Sequence, residues 1–276
     1  MESVFEEIIS LVSGNCRKDI SVYDEDFLHR TIEKRLLSLS LKSSDEYLEY
    51  IKGNQLETSL ISDSLSVSYS EFFRNPVVFS LLEQHILPEL ASRKSLHDGI
   101  RVWSAGCAAG QEAYSLAILL NELDEVQQGR ISYRIFATDV SGSILEMARR
   151  GSFDGSTVQN VKLKHIDRYF SLEGESYTIA DSIKSHVCFS LHNLLDDNSI
   201  YPPDSIYGSF DIVFCSNVLI YFREAVRKTI IDRLRRSLSA GGLLILGEAE
   251  RAFVINDESI RPYTPITAIF RKSGRR

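Results

Sequence analysis

The chain has 276 residues, of which 43% are hydrophobic and 25% are charged, and its formal net charge is −7. This composition is typical of a globular protein, and the negative charge argues against nucleic acid as a partner. No run of roughly 18 apolar residues predicts a spanning helix, and the acidic start M-E-S-V-F-E-E lacks the regions of a signal peptide. We therefore expect a cytoplasmic protein without membrane insertion.

The four cysteines lie far apart in the sequence, and no C-x-x-C spacing occurs. Such usage favours free thiols in a reducing compartment over disulfides or a structural zinc ion. No pair of histidines has metal-ligand spacing either. We therefore expect no metal cofactor.

The first 66 residues predict a small helical domain. Apolar residues recur at helical spacing over 4–12, 27–39 and 47–51, and Gly53-Asn54 ends the third helix. Residues 1–65 hold seven basic and thirteen acidic residues, a net charge of −6. We assign 1–66 to a helical N-terminal domain and 67–276 to a second domain, which begins with a helix over 77–90.

Strand-like and helical patterns alternate after Gly99. The apolar strand-like runs are 100–104, 134–138, 187–191, 210–215 and 243–246, and the helical patterns between them are 111–123, 141–150 and 224–238. This alternation predicts an α/β fold with a doubly wound, mostly parallel, Rossmann-like sheet and right-handed crossovers. The stretch 152–186 breaks the alternation and predicts a small antiparallel β insertion, and 263–270 predicts one or two terminal strands.

The run V-W-S-A-G-C-A-A-G at 102–110 passes from a strand through small residues into a helix. A ligand can lie against bare backbone at such a turn. The run does not supply the G-x-G-x-x-G dinucleotide fingerprint. It predicts either a nucleotide-type binder with a non-standard loop or a turn that only packs well.

Polar residues follow the ends of the predicted strands, where ligands bind in doubly wound sheets. Asp139 follows the second strand and suits two ribose hydroxyls, although Asp139 or Ser141 would also cap a helix. Asn193 follows the third strand and suits an adenine edge or a turn. Asn217 follows the fourth, and Tyr221 beyond it is by itself typical of a core tyrosine.

Five segments together resemble the CheR-type chemotaxis receptor methyltransferases in order and spacing, over nearly the whole chain. They are E-F-F-R at 71–74, V-W-S-A-G-C-A-A-G-Q-E-A-Y-S at 102–115, F-A-T-D-V at 136–140, N-L-L at 193–195 and F-D-I-V-F-C-S-N-V-L-I-Y-F at 210–222. The resemblance implies a methyltransferase that uses S-adenosylmethionine (SAM), yields S-adenosylhomocysteine and needs no metal. It implies glutamate side chains on the cytoplasmic helices of methyl-accepting chemoreceptors as acceptors.

The resemblance also implies site residues. The positions that would line the cofactor site are Ser68, Ser70, Arg74, Gly106, Glu112, Asp139, Asn193, Leu194, Ser216 and Asn217. Arg74 and Tyr221 match the residues that the family places beside the transferring methyl group, so both are candidate catalytic residues.

This chain departs from the family pattern at several positions. The family often has Asn, Glu and Arg where this chain has Ser68, Gln111 and Ser216. The basic N-terminal helix of the family is represented only by Arg30, Lys34 and Arg35. The segment 170–180 is short, which predicts that no receptor C-terminal peptide is tethered there.

Two other functions fit parts of the sequence. A nicotinamide dehydrogenase would use a similar sheet, but it would need the fingerprint that Gly106 and Gly110 do not complete. A non-catalytic signalling or scaffold protein would bind SAM or S-adenosylhomocysteine on the same fold. Binding without methyl transfer would distinguish the scaffold from the enzyme.

Overall fold

The structure is a computed structural model that describes residues 2–66, 69–94, 98–255 and 257–274. The chain forms two compact units. The first, here called the helical unit, comprises Met1–Val67 and Leu219–Lys228. The second, the sheet unit, comprises Ser68–Val218 and Thr229–Arg276.

The helical unit begins with four helices: α1 (Glu2–Cys16), α2 (Glu25–Ser38), α3 (Ser44–Lys52) and α4 (Gln55–Ser64). The side chains of Asp24, Ser43 and Asn54 cap α2, α3 and α4 by accepting a backbone N–H. The sequence analysis predicted the first three helices but not α4. Its pattern is weak because Leu56 and Leu60 are exposed.

A buried ion pair joins α2 to α4 in the helical unit. Two nitrogens of Arg35 donate to the two carboxylate oxygens of Glu57, at 2.8 and 2.7 Å, and the Tyr47 hydroxyl donates to the same carboxylate at 2.9 Å. Glu57 is only 2% exposed. Arg35 is therefore committed to the interior of this unit.

The remaining elements follow in chain order. They are α5 (Pro76–Leu81), a π-helical turn (Leu82–Ile86), α6 (Leu87–Arg93), β1 (Ile100–Ala105), α7 (Gln111–Val126), β2 (Tyr133–Asp139), α8 (Gly142–Arg150), β3 (Ser152–Asp154), α9 (Leu163–Tyr169), β4 (Phe170–Glu173), β5 (Ser176–Ile179), α10 (Asp181–Lys184), β6 (Val187–Leu191), β7 (Phe210–Cys215), α11 (Glu224–Ser237), β8 (Leu238–Leu246), β9 (Ile260–Pro262) and β10 (Ile269–Lys272).

A seven-stranded sheet forms the centre of the sheet unit, in the order β6-β2-β1-β7-β8-β10-β9. The first five strands are parallel, and β10 pairs antiparallel with both of its neighbours. Every residue of β7 is buried, as expected for a parallel strand covered on both faces. The predicted fold class is confirmed, including a separate antiparallel sheet in the order β3-β5-β4 within 152–186.

Two boundaries differ from the sequence-based expectation. Leu238 was expected to end the helix over 224–238, but it pairs with Phe210 as the first residue of β8. The predicted terminal strands over 263–270 lie instead at 260–262 and 269–272. The residues between them form the connecting turn, in which the hydroxyls of Thr264 and Thr267 lie 2.7 Å apart.

Two further properties concern thiols and membranes. All four cysteines are free thiols. Within the described ranges, no helix combines the length and the apolar character that crossing a membrane requires.

Candidate functional site

The loop after β1 consists of small residues, and its backbone is tightly folded. Gly106 has a φ of +75°, and a β-carbon there would lie 2.5 Å from a methyl group of Val218. The N–H groups of Gly106 and Cys107 both donate to the carbonyl of Thr138 at the end of β2. The small residues of 105–110 thus allow a conformation that side chains would block.

Asp139, the last residue of β2, accepts hydrogen bonds from the loop after β1 and from the loop after β2. Its Oδ2 accepts the N–H of Ala108 at 3.0 Å, and its Oδ1 accepts the N–H of Ser141 at 3.0 Å. The α8 cap is Ser141, whose hydroxyl accepts the N–H of Ile144. Asp139 is therefore not the helix cap, and its half-buried carboxylate faces the loop after β1.

The loops after β6 and β7 hold the next candidates. The N–H of His192 donates to the Asp139 carbonyl, and the exposed side chain of Asn193 accepts the N–H of Leu195 at 2.9 Å. Asn193 thus makes the turn contact that was one of its two predicted roles. Leu194 follows it, and its carbonyl accepts from Arg233 at 3.1 Å.

Asn217, after β7, adopts a φ of +60°. Its side-chain oxygen accepts from the Ser216 hydroxyl at 3.1 Å. Few residues other than glycine adopt this backbone conformation, and asparagine is one that does. The turn brings both polar side chains to the carboxyl end of β7.

Glu112, in the first turn of α7, lies among other charged groups. Its Oε1 accepts from the Ser104 hydroxyl on β1 at 2.8 Å. Burial raises the pKa of Glu112 to about 8. The hydrogen bond from Ser104 and the charge of Arg74 lower the pKa of Glu112, whereas the charge of Glu250 raises it.

The segment before α5 presents Arg74. Phe72 packs edge-on against Phe153 and Phe170, and Phe73 takes a φ of +51° while its N–H donates to the Ser115 hydroxyl. These buried rings leave Arg74 exposed, with its guanidinium 5.5 Å from the centre of the Tyr69 ring.

The other predicted residues lie elsewhere. Ser70 is half-buried in the same segment as Arg74. Ser68 lies outside the described residues. Tyr221 belongs to the helical unit, where its ring centre is 4.8 Å from that of Phe27 and its carbonyl accepts the N–H of Asp24. The catalytic role of Tyr221 stays a prediction.

The structure adds two residues that the sequence analysis missed. Glu250 is fully buried, and its Oε2 accepts the N–H groups of Asn217 at 3.0 Å and of Gly247 at 2.7 Å. Gly247 directly follows β8, and Glu250 lies three residues further along the chain. Their place after the fifth predicted strand is the signal in the sequence that could have identified them.

The polar groups at this edge of the sheet fit a SAM-like ligand. Gln111, only 6% exposed, has a buried Oε1 without a hydrogen-bond partner among the described residues, and it stands at the start of α7 directly after the bare loop. A carboxylate at the end of β2 suits ribose hydroxyls. Among the described residues, no group of three or more potential ligands could hold a metal ion.

Comparison with known proteins agrees with this geometry. The family model described as "CheR methyltransferase, SAM binding domain" matches residues 68–264, and "CheR methyltransferase, all-alpha domain" matches residues 3–66. Chemotaxis protein methyltransferase 1 of Pseudomonas aeruginosa is 33% identical over 226 residues, which are 79% of each chain. The chemotaxis protein methyltransferase of Borreliella burgdorferi is 31% identical over 231 residues, also 79% of each.

A further relative is much longer than this chain. An uncharacterized 104.1 kDa protein of Rhodobacter capsulatus is 30% identical over 251 residues. These residues are 91% of this chain but 26% of that protein.

Proposed function

Because this chain belongs to the CheR methyltransferase family, we propose that it transfers the methyl group of SAM to glutamate side chains of chemoreceptors. Use of SAM and methyltransferase activity follow from the family itself. The acceptor is the proposal, and it is supported by the names of the relatives from Pseudomonas aeruginosa and Borreliella burgdorferi. Such acceptors imply a cytoplasmic site of action.

One observation carries the assignment of the cofactor site. The carboxylate of Asp139 is hydrogen-bonded to the bare loop after β1, at the carboxyl edge of the parallel sheet. This edge is where doubly wound sheets bind nucleotides. We propose that the cofactor site is lined by Ser68, Ser70, Arg74, Gly106, Glu112, Asp139, Asn193, Leu194, Ser216 and Asn217.

The proposed chemistry needs no general base. Bound SAM supplies an electrophilic methyl group on a positively charged sulfur. A glutamate side chain with a pKa of ~4.3 is already ionised at neutral pH. Orientation alone can lower a barrier by roughly 7 to 11 kcal/mol. The residues of the site therefore have to position the acceptor and exclude water.

We assign different tasks to the two candidate catalytic residues. Attack of a carboxylate on a sulfonium removes two opposite charges, so a tight contact between arginine and the acceptor would stabilise the ground state more than the transition state. Arg74 already acts electrostatically on Glu112, which favours a role in holding the cofactor. We assign to the hydroxyl of Tyr221 the task of orienting a carboxylate oxygen of the methyl-accepting glutamate.

The surface proposed to contact the receptor carries few exposed basic residues. Arg30 and Lys34 are exposed on α2, whereas Arg35 is bound to buried Glu57. We propose that the cytoplasmic receptor helices contact Arg30 and Lys34. Nucleic acid is not a proposed partner, because the net charge is −7.

Tethering to a receptor tail is not part of the proposal. Only Gly174 and Glu175 connect β4 to β5, so the hairpin ends in a tight turn. A flexible loop that could hold a peptide is absent from this hairpin. Binding of a receptor tail peptide to the purified protein would contradict this part of the proposal.

Peptide mapping tests the acceptor. Chemoreceptors from cells with and without this protein would be digested, and methylated peptides would be compared by mass spectrometry. The proposal expects glutamate methyl esters only where the protein is present. An unchanged receptor pattern, with a methylated non-receptor protein that depends on this chain, would overturn it.

A further inference from the structure

We infer that Glu250 is a positioning residue of the SAM site: it fastens the loop after β7 to the loop after β8 and so holds Asn217 in place. This inference rests on the proposed cofactor site. It concerns a residue outside the set that the family resemblance implied.

The inference follows from hydrogen bonds. One oxygen of Glu250, Oε2, accepts the N–H of Asn217 at 3.0 Å and the N–H of Gly247 at 2.7 Å. The first donor follows β7 and the second follows β8. Hydrogen bonds from backbone N–H groups to a carboxylate are stronger than those between neutral groups. Glu250 thus holds Asn217 in its left-handed conformation, at a φ of +60°.

Close packing leaves this arrangement little freedom. A β-carbon at Gly247 would lie 2.9 Å from the Asn217 nitrogen and 2.9 Å from Oε2 of Glu250. Glycine is needed there for space, since its own φ of −69° is open to any residue. Glu250 is fully buried, so water does not compete for its carboxylate.

Binding of S-adenosylhomocysteine and of SAM, measured by calorimetry at pH 7.5, tests the inference. Glu250→Gln removes the charge of the carboxylate and weakens its hydrogen bonds to Asn217 and Gly247. We expect the affinity for both ligands to fall about tenfold, as the loss of one charge-assisted hydrogen bond implies. Gly247→Ala keeps the carboxylate but crowds it, so it should also weaken binding of both ligands.

Glu248→Gln is the matched control, because Glu248 is exposed two residues away. It should bind both ligands like the wild type. Thermal unfolding of each variant separates positioning from folding, since a merely structural role would lower the unfolding temperature without changing the ligand affinity measured well below that temperature. If one variant fails to fold, the other still tests the inference.

The outcomes separate the two levels of the argument. Failure of the wild type to bind either ligand would overturn the proposed function. Tight binding by the wild type, together with unchanged affinity in Glu250→Gln, would overturn only the role of Glu250.

Discussion

The N–H of Ala108 donates a 3.0 Å hydrogen bond to Oδ2 of Asp139, and this bond joins the loop after β1 to the end of β2. The two residues stand 31 positions apart in the chain. Parallel pairing of β1 with β2 brings them together at one edge of the sheet. The proposed cofactor site is organised around this bond.

Asp139→Asn tests that organisation. The amide has one acceptor oxygen instead of two, so either the Ala108 or the Ser141 hydrogen bond is lost. We expect the free energy of unfolding to fall by about 2 kcal/mol and the affinity for S-adenosylhomocysteine to fall at least tenfold. Calorimetry and urea unfolding measure these changes. Asp167→Asn, at an exposed position, is the control, and equal affinities in the two variants would contradict the assignment.

Gly106→Ala tests the close approach of the loop after β1 to Val218. Its β-carbon would lie 2.5 Å from Val218, whereas a β-carbon at Gly129, which has a similar φ of +74°, would meet nothing within 4 Å. The difference in unfolding free energy between Gly106→Ala and Gly129→Ala therefore reports crowding alone. We expect Gly106→Ala to be the less stable by about 1–3 kcal/mol, with weaker ligand binding. Equal stabilities would contradict the close approach.

Much of this arrangement could be predicted from sequence. The strands at 100–104, 187–191 and 210–215 are short, largely apolar runs, so their positions followed from pattern alone. Asp139 and Asn217 could be identified because each directly follows such a strand. The CheR resemblance, which rested on these motifs, is confirmed by the family matches.

Other features depend on contacts between distant residues. Helix α4 carries exposed Leu56 and Leu60, which obscure its apolar face. Arg35 looks like a surface cation until its partner, 22 residues away, is known. The grouping of residues 219–228 with the N-terminal helices likewise follows from packing, such as the stacked rings of Tyr23 and Phe222. No local pattern encodes such pairings.

Glu112→Gln tests the raised pKa. The folded protein holds this proton up to pH 8, whereas in the unfolded chain the pKa lies near ~4.3. The resulting stabilisation is complete below the unfolded value, declines as pH rises towards 8, and is absent above it. Urea unfolding between pH 5 and pH 9 should show a smaller decline in the variant than in the wild type.

The control for this comparison is Glu175→Gln, at an exposed turn position. It should follow the wild type across the whole range. Parallel curves for the wild type and Glu112→Gln would show that Glu112 ionises normally.

Substitution of the exposed cations of α2 and of its buried cation should affect different properties, receptor methylation in the first case and stability in the second. Arg35→Ala leaves the Glu57 carboxylate buried without its ion-pair partner, and we expect it to lower the free energy of unfolding by about 3 kcal/mol. The double variant Arg30→Ala, Lys34→Ala should unfold like the wild type but methylate receptors more slowly. Undiminished receptor methylation by the double variant would exclude this contact surface.

Tyr221→Phe keeps the ring that packs 4.8 Å from Phe27 and removes only the hydroxyl. If the hydroxyl orients an acceptor oxygen, turnover should fall roughly tenfold or more, while the affinity for S-adenosylhomocysteine stays nearly unchanged. Tyr207→Phe, at an exposed ring, controls for loss of a tyrosine hydroxyl. An equal loss in turnover and affinity would argue against the orienting role.

The central claim is that a carboxylate, already ionised, receives the methyl group at the site around Asp139. Purified protein incubated with methyl-labelled SAM and chemoreceptor-containing membranes tests this most directly. The account predicts label on the receptors that is released by mild base, as a methyl ester is, and much less label with Asp139→Asn. A wild-type protein that binds S-adenosylhomocysteine tightly but transfers no base-labile methyl group to any receptor would contradict it.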